Sequence, residues 1–100
     1  MNIVEIAFKE IAVIRNEIVL YSKNDTLLFI EACENNNIKI LGIDGFYLFD
    51  EKIQPSSENS IDFSSAYYIL QSNSLYTDAI EFLRLKDDTL FFEIICSQKK

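Results

Sequence analysis

The sequence predicts a single α+β domain over residues 1–100, with about three helices packed on a small, mostly antiparallel sheet. Three observations predict it. The apolar period is helical in the first third, changes to strand alternation after residue 37, and ends in a β-rich run. Nearly half of the 100 residues are apolar (49%), 13% are aromatic, and only two Gly and one Pro are present. That composition offers enough buried surface to offset chain entropy, and the length fits one core. No repeat, low-complexity tract or interdomain linker interrupts the chain.

Ile3, Ala7, Ile11, Ile14 and Ile18 recur at spacings of four, four, three and four, the stripe of a first amphipathic helix. Asn16 and the β-branched pair Ile18-Val19 are expected to end it. A second helix over 26–35 is expected after Ser22 or Asp25, both competent N-caps. It should bury Leu27, Leu28, Ile30 and Ala32 and expose Glu31 and Glu34. Asn35-Asn36-Asn37 stops it, because asparagine tolerates the left-handed conformation.

β-branched and aromatic residues dominate 38–49, where Gly42 and Gly45 flank Asp44. A bulge or bend within one long strand, or a tight connection between two, follows from them. Asp50-Glu51 reads as a hairpin turn into Lys52-Ile53. QPSSENS, residues 54–60, is the clearest loop. Residues 63–70 fit either a helix or a short strand. Tyr76, Ala79, Ile80 and Leu83 make a helix with Ser74 as its expected N-cap and Asp78 in its first turn. Asp87-Asp88 forms a turn, residues 89–96 form the last strand around Glu93, and 97–100 fray.

Sixteen Asp and Glu face nine Lys and Arg, giving a net charge of −7, and there is no histidine. A cationic nucleic-acid binder needs clustered Lys and Arg to meet phosphate, so direct nucleic-acid binding is not expected. Histidine triads and histidine metal sites are excluded. Cys33 and Cys96 follow no CxxC spacing and read as small buried hydrophobes, with one disulfide as the alternative. Neither has a histidine partner, and no serine sits in a GxSxG elbow. Gly42 and Gly45 make a GxxG too short for a phosphate loop. The carboxylates lack the DxDxDG spacing of a hard-cation loop. No catalytic residue, metal ligand or cofactor is therefore assigned. No stretch reaches the roughly 18 apolar residues of a membrane span, and no basic-then-apolar leader is visible, so a cytoplasmic location is expected.

The charge is unevenly placed. Residues 40–83 hold seven acids and only Lys52, a balance of −6, and also Tyr47, Phe49, Phe63, Tyr67, Tyr68 and Tyr76. Acids interleaved with tyrosines suit a surface that captures a basic partner, since complementary charge speeds encounter and desolvated aromatics anchor it. The contact candidates are Asp44, Asp50, Glu51, Glu58, Asp62, Tyr67 and Tyr68. The plainer account is that the acids keep the domain soluble while the tyrosines cap its core.

The run LLFIEACENNNIKILGIDGFYLFDEKIQP, residues 27–55, resembles the central signature of the immunity protein 40 family of bacterial polymorphic toxin systems. In that family a helix ends near a polar stretch, and an apolar strand leads into ILG-x-D, an aromatic and a hairpin. Ile40, Leu41, Gly42, Asp44 and Tyr47 stand at those positions. Asp62, Phe63, Ser74, Ala79 and Ile80 align with a later aspartate, aromatic, serine and helix, and the likeness spans 25–96. Gly42-Ile43-Asp44 stands where two adjacent glycines would precede the aspartate, and Gly45-Phe46 is extra. The resemblance implies a non-enzymatic protein that binds and neutralises a cognate toxin, and a basic nuclease would suit an acidic inhibitor. Interface residues in such families vary with the toxin, so none carries over.

Two other classes stay open at this point. A nucleic-acid mimic or regulatory adaptor would occupy a basic partner's groove. A small enzymatic or ligand-binding domain would need a deep pocket lined by acids, whereas an inhibitor works with a flat surface. A homodimer through the apolar final strand is a further option, since an exposed β edge invites pairing.

Overall fold

The computed structural model describes residues 1–65, 67–68 and 72–97. Its elements run α1 (Ile3–Ala7), a 3-10 turn (Lys9–Ile11), β1 (Val13–Arg15), β2 (Ile18–Ser22), α2 (Lys23–Asn35), β3 (Ile40–Phe49), β4 (Lys52–Asp62), α3 (Ser72–Arg84) and β5 (Phe91–Cys96). The strands form one antiparallel sheet of order β1-β2-β5-β3-β4. The expected α+β class holds, with three helices and five strands among the described residues.

The first third departs from the predicted long helix. Asn2 and Glu5 form a reciprocal capping box, and α1 then ends after five residues. Asn16 and Glu17 both take positive φ, at 51° and 67°. Two such residues make the type I′ turn that matches strand twist, so the chain doubles back as the β1–β2 hairpin. Val13, Ile14, Ile18 and Val19 suit strands better than a helix. As a result Ile3, Ile11 and Ile14 are 65%, 50% and 54% exposed instead of buried.

Helix α2 starts three residues earlier than expected. The Ser22 hydroxyl accepts the Asp25 N–H at 3.3 Å, and the Thr26 hydroxyl donates to the Ser22 carbonyl at 2.7 Å. Thr26, Phe29, Ile30 and Cys33 form the buried stripe. Leu28, expected inside, lies on the opposite side of the helix and is exposed. The asparagine stop is as expected: Asn37 adopts φ 55°, and the Ile38 N–H bonds back to the Cys33 carbonyl at 2.8 Å.

β3 is one continuous strand with irregular register at both glycines, and Asp50 at φ 55° turns it into β4. QPSSENS is a correction. It belongs to edge strand β4, whose polar side chains suit a sheet edge that must resist further pairing. Its loop character survives as a bulge. Gly45 opposes Ser56 while Ile43 opposes Ile61, so residues 57–60 stand against Asp44 alone. The Ser60 hydroxyl holds this bulge, accepting the Gly45 N–H at 3.0 Å and donating to the Ser56 carbonyl at 2.8 Å.

In the last third, Tyr67 and Tyr68 are helical, and the rest of the undecided segment from residue 66 and 69–70 lies outside the described residues. Helix α3 begins at Ser72, so Ser74 sits within its first turn and not at the cap. Asp87 accepts the N–H and hydroxyl of Thr89, both at 2.8 Å, and strand pairing starts at Phe91. β5 lies between β2 and β3. It offers no free edge, which removes the final strand as a dimer contact. Of the expected frayed tail, residues 98–100 lie outside the described residues.

All three helices feed one core on one face of the sheet, where Val4, Phe29, Ile30, Leu75, Ala79 and Leu83 meet Ile40, Ile43, Phe92 and Ile94. Phe8, Tyr21 and Phe29 interlock with ring centroids 5.1–6.3 Å apart, a packing that adds to their area burial. Lys23 ties α2 to the end of α3 by donating to the Lys86 carbonyl at 2.8 Å, and it pairs with Asp88 at 3.3 Å. The Tyr76 hydroxyl donates to the Ile38 carbonyl at 2.7 Å. Cys33 and Cys96 are free, buried thiols. Cys33 donates to the Cys96 sulphur; that hydrogen bond, then burial, pushes the Cys33 thiol up, and the same hydrogen bond holds Cys96 down against its own burial. No helix among the described residues is long and apolar enough to cross a membrane.

Gly45 is the test of this register. A Cβ there would lie 2.8 Å from the Asn59 Cβ and closer still to the Asn59 carbonyl oxygen. Gly45→Ala should cost about 1–3 kcal/mol in urea unfolding, as overpacking does. Amide exchange should accelerate first along β4.

Candidate functional site

Antiparallel pairing alternates side chains between the two faces of a sheet. Once Ile43, Phe92 and Ile94 point into the helical core, their neighbours must point the other way. Asp44 is paired with Glu93, Gly42 with Ile95, and Phe46 with Phe91. The face turned away from the helices therefore carries two carboxylates directly opposite each other. Gly42 sits beside them without a side chain, and its missing Cβ would stand 3.2 Å from the Ile61 carbonyl.

That gap is the floor of an open groove of about 480 Å³ lined by Leu41, Asp44, Ile61, Asp62, Ser64 and Ile95. Asp62 closes one end. Its Oδ1 accepts the Ser64 hydroxyl at 2.7 Å and the Ser64 N–H at 2.8 Å. Those two donors hold the Asp62 carboxyl below the usual carboxylate range, favouring its charged form. Glu93 is perturbed in the other direction: burial raises it, and the neighbouring Asp44 charge raises it further. Like charges opposite one another on a sheet destabilise it. The groove thus presents anionic oxygens over an apolar floor, and a cation placed between Asp44 and Glu93 would relieve their repulsion. Among the described residues no three metal-ligating side chains converge.

Of the seven contact candidates, Asp44 and Asp62 meet in this groove, although they lie on different strands. The other five do not line it. Asp50 and Glu51 form the exposed tip of the β3–β4 hairpin. Glu58 is exposed on the β4 bulge, and its carbonyl accepts the Lys86 ammonium at 3.2 Å. Tyr67 is 56% exposed. Tyr68 is committed to the scaffold: its hydroxyl donates to Asp78 at 2.8 Å, and its ring packs edge-on to Phe63 at 4.9 Å. The Asp78 carboxylate raises the Tyr68 hydroxyl above the ordinary phenol range.

Glu93 was not among the sequence candidates. The signal was present, since one acid inside FFEII must face away from the core its neighbours build. Its pairing with Asp44, half the chain away, is visible only in the fold. Comparison with protein-family models and with curated proteins found no match for the chain.

Because Glu93 is raised on folding, its folded form holds a proton more tightly than the unfolded chain does. Stability is then complete in acid and declines as pH rises through the folded value. Glu93→Gln should remove this decline. Urea unfolding at neutral pH should show the variant more stable by about 0.2–1 kcal/mol, with no difference at about pH 3 where both forms are uncharged. A variant less stable than wild type at neutral pH would count against the repulsion.

Proposed function

We propose that this domain is a bacterial immunity protein that neutralises a cognate toxin by stoichiometric binding, without catalysis, in the cytoplasm. The observation that carries the reading is the open groove on the sheet face turned away from the helices. There Asp44 and Asp62 flank Gly42, with Leu41 and Ile95 supplying apolar lining, and Glu93 stands opposite Asp44 on β5, next to the groove but outside its lining. A basic protein suits such a surface. Its Lys or Arg heads would meet carboxylates while their aliphatic stems lie along the apolar lining. An open groove accepts a protruding side chain or loop, and it lacks the enclosure that excludes water from a reacting centre. The resemblance of residues 25–96 to the immunity protein 40 family points the same way.

The reading moves the contact surface away from the hairpin tip. Asp44 and Asp62 are its centre and Glu93 adjoins it beside Asp44, with Asp50, Glu51, Glu58 and Tyr67 further from the groove and Tyr68 in the scaffold. Long-range attraction from the −6 of residues 40–83 would steer a basic partner towards this half of the molecule.

The test is a search of the neighbouring genes for a toxin domain, followed by co-expression with that domain, scored by growth and by titration calorimetry. Wild type should protect and bind one to one, with affinity falling as salt rises. Charge reversal at Asp44, Asp62 and Glu93 together should weaken binding by about 100-fold or more, while reversal at Asp50, Glu51 and Glu58 should change mainly the association rate. Full protection by the triple variant would overturn the groove as the contact surface. Absence of any complex with the toxin, alongside capture of a DNA- or RNA-binding protein, would favour the mimic instead.

A further inference from the structure

The two edges of the sheet are chemically opposite. β4 is polar, bulged and set in the acidic half of the chain. β1, at the other edge, is short, and exposed aliphatics are frequent on it and in the segments next to it in the chain: Ile3, Ile6, Ile11, Ile14 and Val19 are between 39% and 65% exposed. Exposed aliphatic side chains grouped in this way mark an interaction surface. The charge there is nearly balanced, since residues 1–19 hold Glu5, Glu10 and Glu17 against Lys9 and Arg15, a net −1. A groove of about 230 Å³ runs beside the edge, with Ala12, Ile14, Val19, Tyr21 and Phe29 among its lining residues.

The outer side of this edge has no strand paired to it among the described residues. The turn at Asn16-Glu17 closes with Arg15 opposite Ile18, and in such a turn that closing pair is hydrogen-bonded. Bonded and non-bonded pairs alternate along an antiparallel ladder. Ile14, paired with Val19, is therefore a non-bonded pair, and its N–H and C=O both point outward from β2. Arg15 Nη1 donates to that Ile14 carbonyl at 2.9 Å from the solvent side, an exposed contact that strand pairing at Ile14 would displace, while its buried Nε has no partner.

We propose that a second copy of the chain docks on β1 through a two-fold axis at Ile14, joining the two sheets edge to edge. Two features select a second copy over a different partner. A residue facing its own symmetry mate with both polar groups outward exchanges two hydrogen bonds with it, so a strand centred on Ile14 is self-complementary. A chain of net charge −7 meets itself at least cost where its own charge is weakest. The strand order puts β1 at the far edge from β3 and β4, so pairing there keeps the two acidic halves apart. Ile11, Ile14 and Val19 of each copy then lose their exposure. Glu93 also lines the groove beside β1, so the two surfaces adjoin, but strand pairing at Ile14 does not rest on the toxin-binding reading.

Sedimentation equilibrium of the purified chain from about 1 to about 500 µM tests this. The mass should rise from 11.6 kDa towards twice that value, and further at about 0.5 M than at about 0.15 M salt, because screening reduces repulsion between acidic copies. Ile14→Lys should weaken self-association by about 30-fold or more while leaving the circular-dichroism melt unchanged, since the side chain is already half exposed. Ile11→Lys should act in the same direction, and Leu85→Lys, at a site 87% exposed outside this edge, should have no effect. A wild type that stays at 11.6 kDa throughout, or a dimer that persists in both isoleucine variants, would overturn the proposal.

Discussion

The antiparallel pairing of β3 with β5 is the interaction on which the rest depends. It joins the β3–β4 hairpin to the half of the sheet built from β1 and β2. It also fixes which side chains the helices cover. Ile43, Phe92 and Ile94 enter the core only in the register that sets Asp44 against Glu93 on the opposite face. A shift by one residue would turn the carboxylates inward and the isoleucines out. Core and groove are two consequences of one register.

That coupling gives the acidic face a cost. Burial and repulsion both oppose the charged form of Glu93, and replacing it by a neutral residue would ease the sheet. The domain carries this strain at the place where its surface is also apolar and concave. Sites that trade stability for recognition have this character, and a cationic partner would turn the unfavourable pair into a favourable contact. Asp62 differs because Ser64 stabilises its charge locally, so it marks one end of the groove with a fixed anion.

Much of the fold was legible where local chemistry is decisive. Ser22 as a cap, the asparagine stop, the bends at Gly42 and Gly45, the turn at Asp50 and the final strand all follow from residue types that permit few conformations. The N-terminal helix was not legible in the same way. Its isoleucines have helical spacing, yet the left-handed pair Asn16-Glu17 and the β-branched residues around it outweigh that spacing. β4 was missed because an edge strand can be polar throughout, its pairing coming from backbone groups that sequence does not display. Half of the groove was legible: Asp44 and Asp62 were singled out for charge and position. Glu93 joins them through a pairing across the chain, and Tyr68 leaves the set because Asp78 engages it from α3.

The central claim is that Asp44 and Glu93 face each other on the side of the sheet turned away from the helices. Titration of the Glu93 side-chain carboxyl carbon by NMR, in wild type and in Asp44→Asn, measures it most directly. The account predicts a Glu93 titration above the ordinary carboxylate range in wild type, falling part of the way back when Asp44 loses its charge and leaving the contribution of burial. A Glu93 that titrates in the ordinary range, or one indifferent to Asp44, would contradict it.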